Sequence, residues 1–177
     1  MNNKSESFWN NIKPWLGTAA LLPLIIYYTI NKGQFTFIDY INVLIHEGGH
    51  GIFKIFGKFI YTLGGTLMQI IIPSMFVIYY WIKRKKVWTQ IFLSWLGENL
   101  MNISVYAADA RAQRLPLLGG NKVYHDWTWL LSQTGLLEQD QIVGNIFYGT
   151  GILTFIIVLL IPLLLKEIEP ANIDLNL

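Results

Sequence analysis

Residues 40–56 read YINVLIHEGGHGIFKIF, an apolar stretch with two histidines and a glutamate at its centre. An ionisable side chain in a bilayer costs about 2.5–3.5 kcal/mol for Asp or Lys on insertion scales, so such a group is usually retained for function. Residues four apart lie on one face of a helix. His46 and His50 can therefore present two imidazoles to one tetrahedral ion, with Glu47 beside them. The stretch predicts a membrane-embedded helix that carries a metal site.

The composition indicates that a bilayer surrounds most of the chain. Of 177 residues, 53% are hydrophobic and 14% are charged, and the apolar residues fall in long blocks. The net charge of +2 is too small to indicate a nucleic-acid partner, and the absence of cysteine excludes disulfides and thiolate ligands. We expect an integral protein of the cell (plasma) membrane that contacts lipids and binds no nucleic acid.

The hydropathy pattern predicts an all-α fold, an integral membrane helical bundle with about five transmembrane helices. A spanning helix needs roughly 20 mostly apolar residues. Segments that approach this length lie at 15–30, 35–56, 61–82, 87–108 and 143–165. A Trp-rich segment at 125–133 predicts a short interfacial helix. We expect one membrane-embedded domain at 15–165, between an N-terminal flank at 1–14 and a polar C-terminal tail at 166–177.

A catalytic zinc needs a third protein ligand and an open position. Because successive spans alternate in direction, the end of the fourth span and the 125–133 segment lie on the same side as His50. We prefer His125 as the third metal ligand, with Asp109 or Asp126 as the alternative. Asp126 could instead orient an imidazole without binding the ion. The competing interpretations are a capping or interfacial role for His125 and an arginine pair for Asp109.

The fourth span carries a polar stripe that includes Ser94, Glu98 and Asn102 at intervals of about one turn. Such side chains are expected to face the interior of the bundle rather than lipid. Glu98 lies roughly 16 Å from Asp109 along the helix, so the two cannot bind one ion. Glu98 is therefore expected to be a structural or proton-relay partner.

Small residues surround the motif and allow two interpretations. Gly48 and Gly49 each cost about 1 kcal/mol of helix propensity relative to Ala. They could leave room for substrate near the ion, or they could let two helices pack closely. The stretch GGT at 64–66, with Gln69 one turn later, could bring backbone or an amide near the site, and simple helix packing explains it equally well.

The HEGGH motif at 46–50 lies in a hydrophobic span and is followed by GGT at 64–66 and a polar later helix. In these features the chain resembles the site-2-protease-like membrane zinc metalloproteases. The resemblance implies a Zn²⁺ cofactor, His46 and His50 as ligands, Glu47 as catalytic base, and intramembrane proteolysis. That family takes its third ligand from an Asp-Gly pair, which this sequence lacks, so the resemblance is to a divergent member.

The leading functional hypothesis is a membrane-embedded, zinc-dependent hydrolase. We expect a metallopeptidase that cleaves a peptide bond in or near the bilayer, with a membrane protein or peptide as substrate and Glu47 as general base. The alternatives are a divalent-metal transporter and a catalytically silent membrane scaffold with a structural zinc. A Glu47→Gln substitution distinguishes them, because only hydrolysis depends on a general base.

Overall fold

A computed structural model describes residues 8–9, 12–31, 35–116 and 124–166 of the chain. The described residues form six α-helices, joined in places by 3₁₀ turns, and contain no β-strand. The helices are α1 (Leu16–Ile30), α2 (Phe37–Phe53), α3 (Lys58–Ile82), α4 (Lys86–Ala108), α5 (Asp126–Thr134) and α6 (Asp140–Leu164). The all-α prediction is confirmed. Most of the predicted N-terminal flank, and the predicted tail from residue 167 onward, lie outside the described residues.

The helices occupy the segments that hydropathy predicted, and local residues account for their ends. Helix α2 begins with a capping box in which Thr36 and Asp39 bond to each other's backbone N–H groups. It ends before the 3₁₀ turn Lys54–Phe56, and Gly57 follows at a φ of 86°, a conformation that favours glycine. Helix α5 likewise ends at Gly135, with a φ of 70°.

Within the part of the chain that the structure describes, two helices are long and apolar enough to cross a membrane: α3, and the stretch Leu137–Leu164 that contains α6. The 25 residues of α3 extend about 37 Å at 1.5 Å per residue, more than a hydrocarbon core of about 30 Å. Only 33% and 28% of their most apolar windows are buried, so most of this apolar surface faces outward, unlike that of a soluble core helix. The crossing of the membrane by α1, α2 and α4 stays a prediction.

Helix α4 lies at the centre of the bundle. Its first half packs with α1 and α6 in an apolar cluster that includes Leu93, Phe155 and Val158. Its second half packs against α5 in another, through Ile103 and Trp127 among others. Because of this second contact, the short helix α5 lies against the end of α4. The first residues of α5 then face α2, which carries the histidines.

Candidate metal centre

One face of α2 is buried, and several polar residues of this helix, His46 among them, lie on it. The buried residues of this helix are Asp39, Asn42, His46 and Gly49, which are spaced three or four apart and therefore share one side. His46 is 9% exposed and Asn42 is fully buried. The polar face of α2 thus packs against α3 and α4 while its apolar face is exposed.

The glycines near the motif have different roles. A Cβ at Gly49 would overlap the backbone carbonyl of Gly64, so this pair allows α2 and α3 to approach closely. A Cβ at Gly65 would overlap the imidazole of His46, which packs directly on that backbone. No atom lies within 4 Å of the Cβ position at Gly48, so this glycine has no packing role among the described residues.

The first turn of α5 supplies a carboxylate to the two histidines. Asp126 Oδ2 lies 2.9 Å from His46 Nε2 and 3.2 Å from His50 Nε2. The three potential ligand atoms all lie within 4.8 Å of one another, and the group could hold a metal ion. Nitrogen and oxygen ligands about 2.0–2.1 Å from a tetrahedral zinc are separated by roughly 3.3 Å. The two distances from Asp126 to the histidines are close to that separation.

The second nitrogen of each imidazole determines what the first can do. His50 Nδ1 is 2.8 Å from the backbone carbonyl of Tyr61, which can only accept, so His50 Nδ1 donates. His46 Nδ1 is 2.8 Å from Gln69 Oε1 and donates to it in the same way. In the neutral rings both Nε2 atoms therefore carry lone pairs. Two lone pairs and a carboxylate oxygen converge, and a divalent cation would satisfy all three, so these residues fit a zinc ion.

The surroundings of Asp126 keep it ionised. Burial by itself would raise the pKa of this carboxyl, but its interactions with His46 and His50 more than offset it and hold the pKa below its usual value. The backbone N–H of Asp126 donates to the hydroxyl of Tyr106, at 3.1 Å. Tyr106 also lies edge-on to His46, with ring centroids 5.8 Å apart. Asp126 is thus held to α4 through its backbone and to α2 through its carboxylate.

His125 and Asp109 lie together beside the metal centre but face each other. His125 is the N-cap residue of α5, and its Nδ1 accepts the backbone N–H of Thr128 at 3.3 Å. Its Nε2 is 3.6 Å from Asp109 Oδ2, beyond hydrogen-bonding distance. Asp109 itself accepts the backbone N–H groups of Arg114 and Leu115. The structure thus groups Asp126 with His46 and His50, and places our preferred third ligand, His125, in a capping position.

A cavity with a volume of about 200 Å³ opens beside the histidines. Its lining includes His46, Glu47 and Tyr106, together with apolar side chains from three regions, Val43, Met101, Val105 and Leu115. Glu47 is exposed, and no hydrogen bond or ion pair joins its side chain to another described residue. Glu47 therefore keeps a carboxylate available on the wall of the cavity that His46 also lines.

The polar stripe on α4 faces the interior, as the sequence predicted. Glu98 is 3% exposed, and its Oε2 accepts Asn42 Nδ2 at 2.6 Å. Asn102 donates to Asp39 Oδ1 at 2.8 Å and accepts from Gln69 Nε2 at 3.1 Å. The predicted proton-relay role of Glu98 stays a prediction, whereas its structural partner is Asn42.

Several residues around the site were not singled out from the sequence. Asp39 and Asn42 precede His46 by seven and four residues, so the helical spacing that identified His50 could have found them. Tyr106 had no such signal, because an aromatic residue near the end of an apolar helix is common at a membrane interface.

Comparisons of the chain with protein-family models, with curated proteins and with solved structures found no match. The similarity to the site-2-protease-like metalloproteases therefore remains a resemblance in the motif at 46–50. The functional evidence consists of the site itself: His46, His50 and Asp126, which could hold a metal ion, and the cavity next to them.

Proposed function

We propose that this protein is a membrane-embedded, zinc-dependent hydrolase, most simply a metallopeptidase that cleaves a peptide bond in or near the bilayer. One observation carries the proposal: two imidazole Nε2 atoms and a carboxylate oxygen converge next to the exposed Glu47 on the wall of a cavity. Two His ligands, one carboxylate and an open position form the ligand set of catalytic zinc in peptidases.

Each residue then has a defined task. His46, His50 and Asp126 hold the ion, which would supply Lewis-acid polarisation of a carbonyl group and of water. Glu47 accepts a proton from the attacking water and returns it to the leaving nitrogen. The apolar part of the cavity lining accommodates an apolar segment of the substrate. The outward apolar surface of α3 and α6 supports location of this chemistry within a membrane.

The alternatives are less well supported. A divalent-metal carrier requires further ligand groups along its path, and in the described part of the chain His46, His50 and Asp126 are the one such group of three. A purely structural zinc requires neither a cavity nor an unpaired carboxylate beside it, since structural sites are closed.

Replacement of the proposed base tests the hydrolase directly. In Glu47→Gln, turnover of dye-labelled apolar peptides about 20 residues long, presented in detergent micelles, should fall by roughly 10²–10⁴-fold, the usual contribution of a general base. Zinc content should be unchanged, because the amide does not alter the three ligands. The matched control is Glu138→Gln, at a glutamate that is 79% exposed and far along the chain.

The results separate the three functions. Equal turnover by Glu47→Gln and the parent protein would contradict the hydrolase. Zinc uptake by sealed vesicles that depends on His46 but not on Glu47 would favour a carrier. Zinc binding without either activity would favour a scaffold.

A further inference from the structure

We propose that Gln69, Asn99 and Asn102 form a hydrogen-bond relay, here called the Gln69 relay, that fixes the orientation of His46 for metal binding. The inference rests on the proposed metal centre. It assigns positioning roles to three amides on α3 and α4, of which Gln69 and Asn99 are buried and Asn102 is half-buried, and none is itself a metal ligand.

The direction of the relay is set by an atom that can only accept. Asn99 Nδ2 is 2.9 Å from the backbone carbonyl of Trp95, so the amide nitrogen of Asn99 must point there. Its Oδ1 then faces Gln69 Nε2, at 3.3 Å. The orientation of the Gln69 amide is thereby determined by the main chain of α4.

A second chain of contacts reaches Gln69 from α2 and gives the same direction. The carboxylate of Asp39 accepts Thr36 N and Thr36 Oγ1 through Oδ2, and accepts Asn102 Nδ2 through Oδ1. Asn102 Oδ1 must then face Gln69 Nε2, which it accepts at 3.1 Å. Both protons of the Gln69 amide are taken, so its Oε1 remains for His46.

The end of the relay is the metal ligand. With Oε1 of Gln69 as a pure acceptor, His46 carries its proton on Nδ1 and presents the Nε2 lone pair to the metal position. The backbone of Gly65 also packs closely against this ring. His50 differs, because its Nδ1 is held by the Tyr61 carbonyl, which no side-chain substitution removes.

The experiment compares two buried glutamines. Gln69→Leu removes the acceptor for His46, whereas Gln90→Leu removes an equally buried amide that bonds to Thr18 and to the Val158 carbonyl, in the α1–α4–α6 cluster. Zinc affinity of the full chain in detergent would be measured by competition with a chromophoric chelator. The visible spectrum of the cobalt(II)-loaded protein would report ligand geometry.

Gln69→Leu should weaken zinc binding by about 10–100-fold, the usual effect of losing an outer partner of a ligating histidine, and should shift the cobalt spectrum. Gln90→Leu should leave both measurements unchanged even if it lowers thermal stability. Asn99→Ala and Asn102→Ala should each have a smaller effect than Gln69→Leu, because one acceptor for Gln69 Nε2 remains. The double Asn99→Ala/Asn102→Ala variant should approach the Gln69→Leu result, and it carries the comparison if Gln69→Leu fails to fold.

Three outcomes would each overturn the Gln69 relay, and one of them would also overturn the metal centre. Parent-like zinc affinity in Gln69→Leu, or in the double asparagine variant, would overturn the relay and leave the metal centre standing. Equal losses in Gln69→Leu and Gln90→Leu would also overturn it, since a general packing defect would then explain both. A parent protein that binds no zinc would overturn the proposed metal centre, and the relay with it.

Discussion

Two histidine–carboxylate clusters lie next to each other where α4 ends and α5 begins, and they differ in which imidazole nitrogen the protein engages. In the metal cluster (His46, His50 and Asp126), each Nδ1 donates to an acceptor and both Nε2 atoms face the carboxylate. In the corner pair (His125 and Asp109), the imidazole Nδ1 instead accepts the first-turn N–H of Thr128. Its Nε2 then carries the proton in the neutral ring, so metal ligation through Nε2 would require loss of this helix cap.

The causes of the pKa shifts also differ between the two clusters. Burial lowers the pKa of His125, and the nearby Asp109 and Asp126 only partly oppose this, so the imidazole is neutral at neutral pH. The Asp126 carboxyl, by contrast, has its pKa held below the usual value by its interactions with His46 and His50, which outweigh its burial. Neighbouring residues in the chain thus have different partners, because one caps a helix and the other lies in its first turn.

The largest difference between the two clusters is expected in zinc affinity, when one member of each cluster is substituted. Asp126→Ala should weaken zinc binding by more than about 100-fold, since loss of a ligand exceeds the roughly 10–100-fold loss of an outer partner. His125→Asn should keep parent affinity, because Asn is a good N-cap acceptor and the metal cluster is untouched. Zinc affinity from chelator competition measures both. The opposite pattern would make His125 the ligand, as the sequence alone suggested.

The helices and half of the site follow from sequence patterns, and the remainder depends on where α5 begins. Apolar block length predicted the helical segments, and the four-residue spacing predicted that His46 and His50 share a face. Neither pattern gives the first residue of α5, which decides whether residue 125 or 126 faces the histidines. Preference for imidazole as a zinc ligand favoured His125, while the helix start at Asp126 turns that residue inward instead.

The hydrogen-bond partners in the Gln69 relay are a second feature that sequence patterns do not predict. The stripe of Glu98 and Asn102 predicted a polar face directed into the bundle, where Glu98 is buried and Asn102 is half-buried. The identity of each hydrogen-bond partner depends on the rotation of α3 and α4 about their axes. The spacing of seven residues from His46 could have identified Asp39, but its place three residues after Thr36 is also explained by capping.

A smaller effect should come from the backbone behind His46. In Gly65→Ala, the new methyl group would overlap the imidazole, so we expect a loss of about 1–3 kcal/mol in stability and weaker zinc binding. In Gly48→Ala, the methyl group meets open space, and the gain in helix propensity of up to about 1 kcal/mol should leave stability equal or higher. Thermal unfolding in detergent, with and without zinc, separates the two. Identical behaviour of both variants would contradict the packing of His46 on Gly65.

The smallest effect is expected at the ion pairs that connect Arg111, just after α4, to the start of α6. Arg111 donates to Asp140 at 2.7 Å and to Glu138 at 2.9 Å, but Asp140 is 1% exposed and Glu138 is 79% exposed in their side chains. Arg111→Ala leaves a buried carboxylate without its charged partner and should therefore lower the unfolding temperature more than Glu138→Ala does. Glu138→Ala removes only an exposed ion pair and should cost less than about 0.5 kcal/mol.

Zinc affinity should be unchanged in both variants, because neither residue contacts the metal cluster. Unfolding monitored by circular dichroism gives the stability, and chelator competition gives the affinity. A loss of zinc binding in Arg111→Ala would mean that the Arg111 ion pairs control the position of Asp126 relative to His46 and His50. The two clusters would then act as one unit, since strain introduced at the end of α4 would reach the ligand through the first turn of α5.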